Sequence, residues 1–349
     1  MNTLRILVFL LIATLSCKKD KRNEIPDVST LKKDISFTRF EREIFSLDTN
    51  NIESSVQKLF AKYPVFSRIY FQSIMQLTKN VDSLDSKFYE ELKSFCGDPF
   101  LRMIQYRTDS LYADFNDLKP QFEQTEALAK YYFPKSNPVQ VYTMISSFNV
   151  GNIIFSINDS LDGLGISLDF FLGNDFDYKQ INPTYELFAK YITRSFNKEH
   201  ILKKTWMPWT EDVLKEIPLN NLLDHMIFEG KKLYLLKKIM PNIQDSVLYE
   251  FTPEQVKWCE NNKMDIWSFL NDKEYIQSTK RNEIMRYVSP SPTSPGMPKA
   301  SPGRAAVYIG LDIVRSYMEN HPEYKLDDLI KEESAQKILD EARYKPKNG

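Results

Sequence analysis

Residues 222–236 read Leu222-Leu223-Asp224-His225-Met226-Ile227-Phe228-Glu229-Gly230-Lys231-Lys232-Leu233-Tyr234-Leu235-Leu236, and the run continues to Pro241. Leu222, Met226, Leu233, Leu236 and Met240 recur at steps of four and three once Glu229 fills the gap between Met226 and Leu233. That spacing is one stripe of an amphipathic helix, with a carboxylate set in its apolar face. Gly230 follows in mid-helix, where glycine costs about 1 kcal/mol relative to alanine. A residue that weakens its own helix there points to a close backbone approach. Lys237 and Lys238 suit the C-terminal end of the helix dipole, and Pro241 marks the exit.

A carboxylate in an apolar setting becomes neutral, pairs with a cation or binds a metal. Glu229 is therefore either a structural ion-pair partner or a functional carboxylate. His225, one turn earlier on a neighbouring face, and Asp224 beside it belong to the same candidate site. A lone histidine is not counted as a ligand, so no metal and no cofactor is expected.

The chain has 349 residues, with 23 Phe, 19 Tyr and 4 Trp, enough apolar material for a sizeable core. Ten glycines and a net charge of −1 argue against a glycine-rich β architecture and against a nucleic-acid binder, which needs a basic patch. Three cysteines, Cys17, Cys96 and Cys259, imply neither a disulfide framework nor a metal cluster.

The N-terminus carries its own signal. One positive charge precedes the apolar run 6–15, which is too short for an ordinary membrane span, and Ser16-Cys17 closes it. This is the pattern of an export signal over 1–16 whose removal leaves Cys17 to be acylated. The mature chain would then be held by membrane lipid through Cys17, since several acyl chains anchor stably where one does not. A polar tether, 17–34, follows. Its Lys18-Lys19-Asp20-Lys21-Arg22 segment is not acidic, which favours an outer-membrane protein facing the periplasm rather than surface export.

Residues 35–349 read as one mainly helical α+β domain. Helices are expected from the Asp48 region to Lys62, over 65–77, from Asp98-Pro99 toward Tyr112, and over 119–132. The stretches 139–145, 151–157 and 164–172 have strand character and are separated by turn residues, so a small, mostly antiparallel sheet is expected mid-chain. Asp169, Asp175 and Asp177 lack the alternation of a calcium loop. A helix is expected over 187–196, and Trp206-Met207-Pro208-Trp209 reads as an aromatic knot before a short helix at 211–215. The stretch 288–303 holds five prolines and reads as an ordered loop. It leads through Gly303-Arg304 into a helix with Val307, Leu311, Val314 and Met318 on one face and Gly310 on the adjacent line. Arg304 at the mouth of that helix is the expected partner of Glu229.

These pieces together resemble the gliding motility-associated lipoprotein GldB family. The resemblance rests on the signal ending at Cys17, the block Ile35-Ser36-Phe37-Thr38-Arg39-Phe40-Glu41-Arg42, Phe171-Leu172-Gly173, the run from Asp224 through Tyr234, and Pro302-Gly303-Arg304. It implies a membrane-anchored protein required for gliding, working with other gliding or secretion proteins of the envelope as a structural or assembly component and not as an enzyme. A second, fainter similarity is to zincin peptidases, in which a His-Glu-x-x-His helix is followed by a Glu-Gly helix. Glu229-Gly230 is similar to the later element, but His200, His225 and His321 are never four apart. The reading is a degenerate zincin-like fold, with a membrane-anchored hydrolase of non-standard ligands as the alternative.

Overall fold

The computed structural model describes residues 25–215 and 217–348. The signal segment, Cys17 and the start of the tether lie outside the described residues. The packed body begins ahead of residue 35. Val28 is buried in the main core, and Lys119 pairs with Asp34 at 2.5 Å. That core runs without interruption from Val28 to Ala342.

The N-terminal half is a helical layer around one sheet. Its helices are α1 (Phe40–Phe45), α2 (Ile52–Lys62), α3 (Pro64–Ile69), α4 (Ser86–Gly97), α5 (Pro99–Leu111) and α6 (Lys119–Tyr132). Local chemistry sets their starts. Asp85 and Asp98 accept the Phe88 and Leu101 amides as N-caps, and Pro64 and Pro99 occupy first-turn positions whose N–H would have no helical partner. The expected helix over 65–77 is broken in two, because α3 passes into a π-helical turn, Tyr70–Ile74.

The sheet corrects the expectation of mostly antiparallel pairing. Its strands are β1 (Phe37–Arg39), β2 (Val139–Met144), β3 (Ile153–Asn158) and β4 (Leu161–Ser167), in the order β1-β2-β4-β3. Only β3 and β4 are antiparallel; β1–β2 and β2–β4 are parallel. The hairpin at 158–161 returns β4 into the middle because β4 and β2 can be buried on both faces, whereas β3 alternates toward solvent and stays at the edge. β1 precedes the first expected helix, in a stretch where no strand is expected. Three residues pairing across a hundred positions carry no local signal.

The C-terminal half comprises α7 (Lys190–Thr193), α8 (Lys198–Leu214), α9 (Leu222–Ile239), α10 (Asp245–Tyr249), α11 (Pro253–Asn261), α12 (Lys263–Asp272), α13 (Arg281–Val288), α14 (Ala305–Asn320), α15 (Leu326–Lys331) and α16 (Ala335–Ala342). Two further expectations fail here. The helix expected over 187–196 is instead a 3-10 turn, Glu186–Phe188, followed by the single-turn α7. The Trp206–Trp209 segment lies inside α8, which runs through Pro208. That proline removes one backbone donor, but Trp206 and Trp209 are both buried and hold the helix in place.

The helices α9 and α14 cross backbone to backbone. A Cβ on Gly230 would stand 2.5 Å from the Gly310 carbonyl, and one on Gly310 would stand 2.0 Å from the Met226 oxygen. Both glycines are obligatory for that approach. Gly310→Ala is therefore expected to destabilise the protein by about 1–3 kcal/mol or more, as overpacking does. Gly97→Ala, where nothing lies within 4 Å of the new carbon, should stay within about 1 kcal/mol of wild type. Urea denaturation of the two variants checks the contrast, and equal midpoints would contradict this account of the crossing.

Candidate functional site

The crossing places residue 229 beside the entry to α14. That entry is built by the proline-rich segment, which is ordered. Ser294 and Ser301 are buried; the Ser301 hydroxyl accepts the Ser294 amide, and the Ser294 hydroxyl donates to the Pro302 carbonyl at 2.8 Å. The segment delivers Arg304 in a left-handed backbone conformation, φ 64°, immediately before α14. From there Arg304 Nη2 donates to Glu229 Oε2 at 3.2 Å.

Glu229 has a second cation. Lys232, one turn on in α9, lies 2.7 Å from Oε1 and also reaches Glu211 on α8 at 2.8 Å. Burial alone would raise the Glu229 carboxyl, but Lys232 and Arg304 outweigh it and hold it below its ordinary value. Glu229 is thus an ionised, doubly paired carboxylate.

A second cluster faces the first. Lys203 on α8 is buried and lies 2.5 Å from Glu250, which follows α10 in a left-handed conformation; Lys204 reaches the same carboxylate at 3.1 Å. Burial would push Glu250 up, yet Lys203, Lys204 and Arg304 together hold it well below the usual carboxylate range. Both clusters open into one cleft of about 630 Å³. Phe148, Phe170, Phe171, Tyr185 and Phe196 form its aromatic wall, and His225 also lines it.

The Phe148 part of that wall depends on Asp169, which the sequence shows only to lack the alternation of a calcium loop. Asp169 is fully buried, and its Oδ2 accepts from the Ser146 amide and hydroxyl and, at 2.6 Å, from the Phe148 amide. These bonds hold Ser147 and Phe148 in consecutive left-handed conformations, φ 57° and 61°. Burial raises the Asp169 carboxyl to about 6 despite those donors.

Of the other expected site residues, two serve local structure and one lines the cleft. Asp224 is a helix cap: it accepts the Asn220 and Asn221 amides, while Asn221 accepts the Asp224 amide. Gly230 serves the crossing with α14. His225 is in the cleft, where burial lowers its pKa. Lys203, Lys204, Glu211 and Glu250 were missed; Lys232 lay in the quoted stretch without a role. The three-residue step from Glu229 to Lys232 was a readable ion-pair signal, whereas the Lys203–Glu250 pair, 47 positions apart, had none.

Zinc does not fit this donor set. Catalytic zinc needs three protein ligands and an open position. Among the described residues no three His, Cys, Asp or Glu side chains gather in a way that could hold a metal ion. His200 is buried against Asn197, and His321 stacks on Tyr324. Cys96 and Cys259 are separate buried thiols.

Two outcomes follow from this geometry. Asp169→Ala leaves the Ser146 and Phe148 amides without their acceptor and is expected to cost about 1–3 kcal/mol in urea denaturation; an unchanged midpoint would show that the loop holds itself. Glu250 is depressed in the folded state, so its contribution is present above its unfolded value of 4.5 and is lost as pH falls below it. Stability of the wild type should therefore decline below about pH 4.5 more steeply than that of Glu250→Gln, which starts weaker at neutral pH. Parallel pH profiles for the two proteins would contradict this.

No curated protein and no solved structure gives a significant match. Among the described residues no helix is long and apolar enough to cross a membrane. The sequence pattern of one family, described as gliding motility protein GldB, matches residues 21–346 and so takes in every element that builds the cleft. The chain belongs to the gliding motility protein GldB family.

Proposed function

We propose that this protein is a lipoprotein anchored through Cys17 in the outer membrane, facing the periplasm. There it serves gliding as a structural or assembly component of the envelope machinery and holds a partner in its cleft. The observation that carries a binding role is the state of Glu229. Two cations neutralise it, and the facing helix α8 contributes lysines where a metalloenzyme would need histidines. Family membership supports the link to gliding, and the basic run after Cys17 supports retention on the periplasmic side. The partners this reading points to are other gliding or secretion proteins of the envelope.

The test uses a gliding host from which the native copy has been removed. Wild-type protein is expected to restore spreading. Cys17→Ala should abolish it and move the protein from the membrane fraction to the soluble one. Glu229→Ala should fold, remain in the membrane fraction and fail to restore gliding. Zinc content of the purified full chain should be substoichiometric and unaffected by Glu229→Ala. Stoichiometric zinc that disappears in that variant would overturn the binding reading in favour of a membrane-anchored peptidase.

A further inference from the structure

The charges in the cleft do not cancel. Among the described residues Lys203, Lys204, Lys232 and Arg304 line it together with two carboxylates, Glu229 and Glu250. Each carboxylate already has two cations on it: Lys232 and Arg304 on Glu229, Lys203 and Lys204 on Glu250. Glu211, which shares Lys232, is half exposed outside the lining. Positive charge is therefore left over inside a partly dehydrated space, where it is costly unless an anion answers it.

Hydrogen-bond capacity is left over as well. A guanidinium has five N–H donors. Among the described residues Arg304 uses Nη2 on Glu229, and its Nε is buried without an acceptor. A lysine ammonium has three donors, and Lys204 is partly exposed with its contact to Glu250 at 3.1 Å. Sharing the cleft with these donors are Phe148, on the Asp169-anchored loop, and Phe170 and Phe196, an apolar surface beside a cationic one. Small-ligand sites are built in this way, mostly apolar with a few convergent polar groups.

We propose that the cleft receives an anionic group, a carboxylate or a phosphate ester, carried on an aromatic or aliphatic body. Arg304 and Lys204 bind the anion, Lys203 adds its charge from beneath, and the body lies against Phe148, Phe170 and Phe196. This rests on the binding role proposed above and adds the chemistry of the group bound.

The test is calorimetric titration of the purified full chain in neutral detergent with four probes: N-acetylphenylalanine, its uncharged amide, phenyl phosphate and inorganic phosphate. At least one organic anion should bind saturably, more tightly than the amide, and more weakly at about 0.5 M salt than at low salt. Preference for N-acetylphenylalanine assigns a carboxylate ligand, and preference for phenyl phosphate a phosphate ester. Saturation by inorganic phosphate alone would overturn the role of the aromatic wall. Arg304→Gln and Lys204→Gln should each weaken binding roughly tenfold, the loss of one charge-assisted contact. Lys237→Gln, which removes a cation paired with Asp245 outside the cleft lining, should not. If Arg304→Gln fails to fold, Lys204→Gln still decides. No binding by the folded wild type, equal binding of acid and amide, or variants that bind like wild type would each overturn the proposal. Restoration of gliding that depends on Cys17 and Glu229 would then stand by itself, whereas stoichiometric zinc would remove the binding role first.

Discussion

The constraint on which the rest of the C-terminal half depends is the contact of α9 and α14 at Gly230 and Gly310. Side chains normally hold helix axes 8–10 Å apart. Here the Gly310 carbonyl and the Met226 carbonyl occupy the space that a Cβ would fill on the opposing glycine. The consequence lies one residue away. With Gly230 pinned against α14, Glu229 stands beside the start of that helix, where the chain arrives from the proline-rich segment. Arg304 must then turn left-handed to enter the helix, and that turn brings its guanidinium to the carboxylate. The packing of two glycines thus sets the position of a charge pair.

The charges themselves are poor candidates for simple stabilisers. Burying an ion pair removes hydration worth several kcal/mol per ion, and the attraction between partners commonly does no more than offset it. Lys203 and Glu250 are a strong case, because burial pushes the lysine down to about 8 while three cations crowd one carboxylate. A core built only for stability would place apolar residues there, as the same helices do at Ile201, Met226 and Leu233. The cluster makes better physical sense as an arrangement held ready for something that enters the cleft. The strained loop tied to Asp169 keeps Phe148 in the cleft wall.

Much of this was legible in the sequence, for identifiable reasons. The helix α9 and the Asp98-Pro99 start of α5 are local devices, set by spacing and capping within a few residues. The Glu229–Arg304 pair could be anticipated because Glu229 broke the apolar stripe of α9 and Arg304 stood at the mouth of the helix expected to follow. What stayed hidden was whatever depended on distant segments. β1 pairs across a hundred residues, and β4 takes the place beside β2 that chain order would give to β3. Pro208 argued for a helix end, but the burial of two tryptophans on either side of it decided for continuity. Lys203 and Lys204 drew no reading because nothing local announced Glu250, 47 positions away from Lys203.

The same cations bear on what a metal would encounter here. Placing a divalent ion on Glu229 would require Lys232 and Arg304 to leave the carboxylate, and the ion would face Lys203 and Lys204 across the cleft. Like charges in a medium of reduced dielectric repel by several kcal/mol at contact distances. Lowering the pH adds protons to the site, and raising it through the ordinary lysine range still leaves Arg304 charged. An anion meets the opposite balance, since four cations attract it while the two carboxylates that repel it are each already paired with two of those cations. The chemistry of the site therefore runs toward receiving negative charge, and the two glycines that fix the crossing of α9 and α14 keep it so.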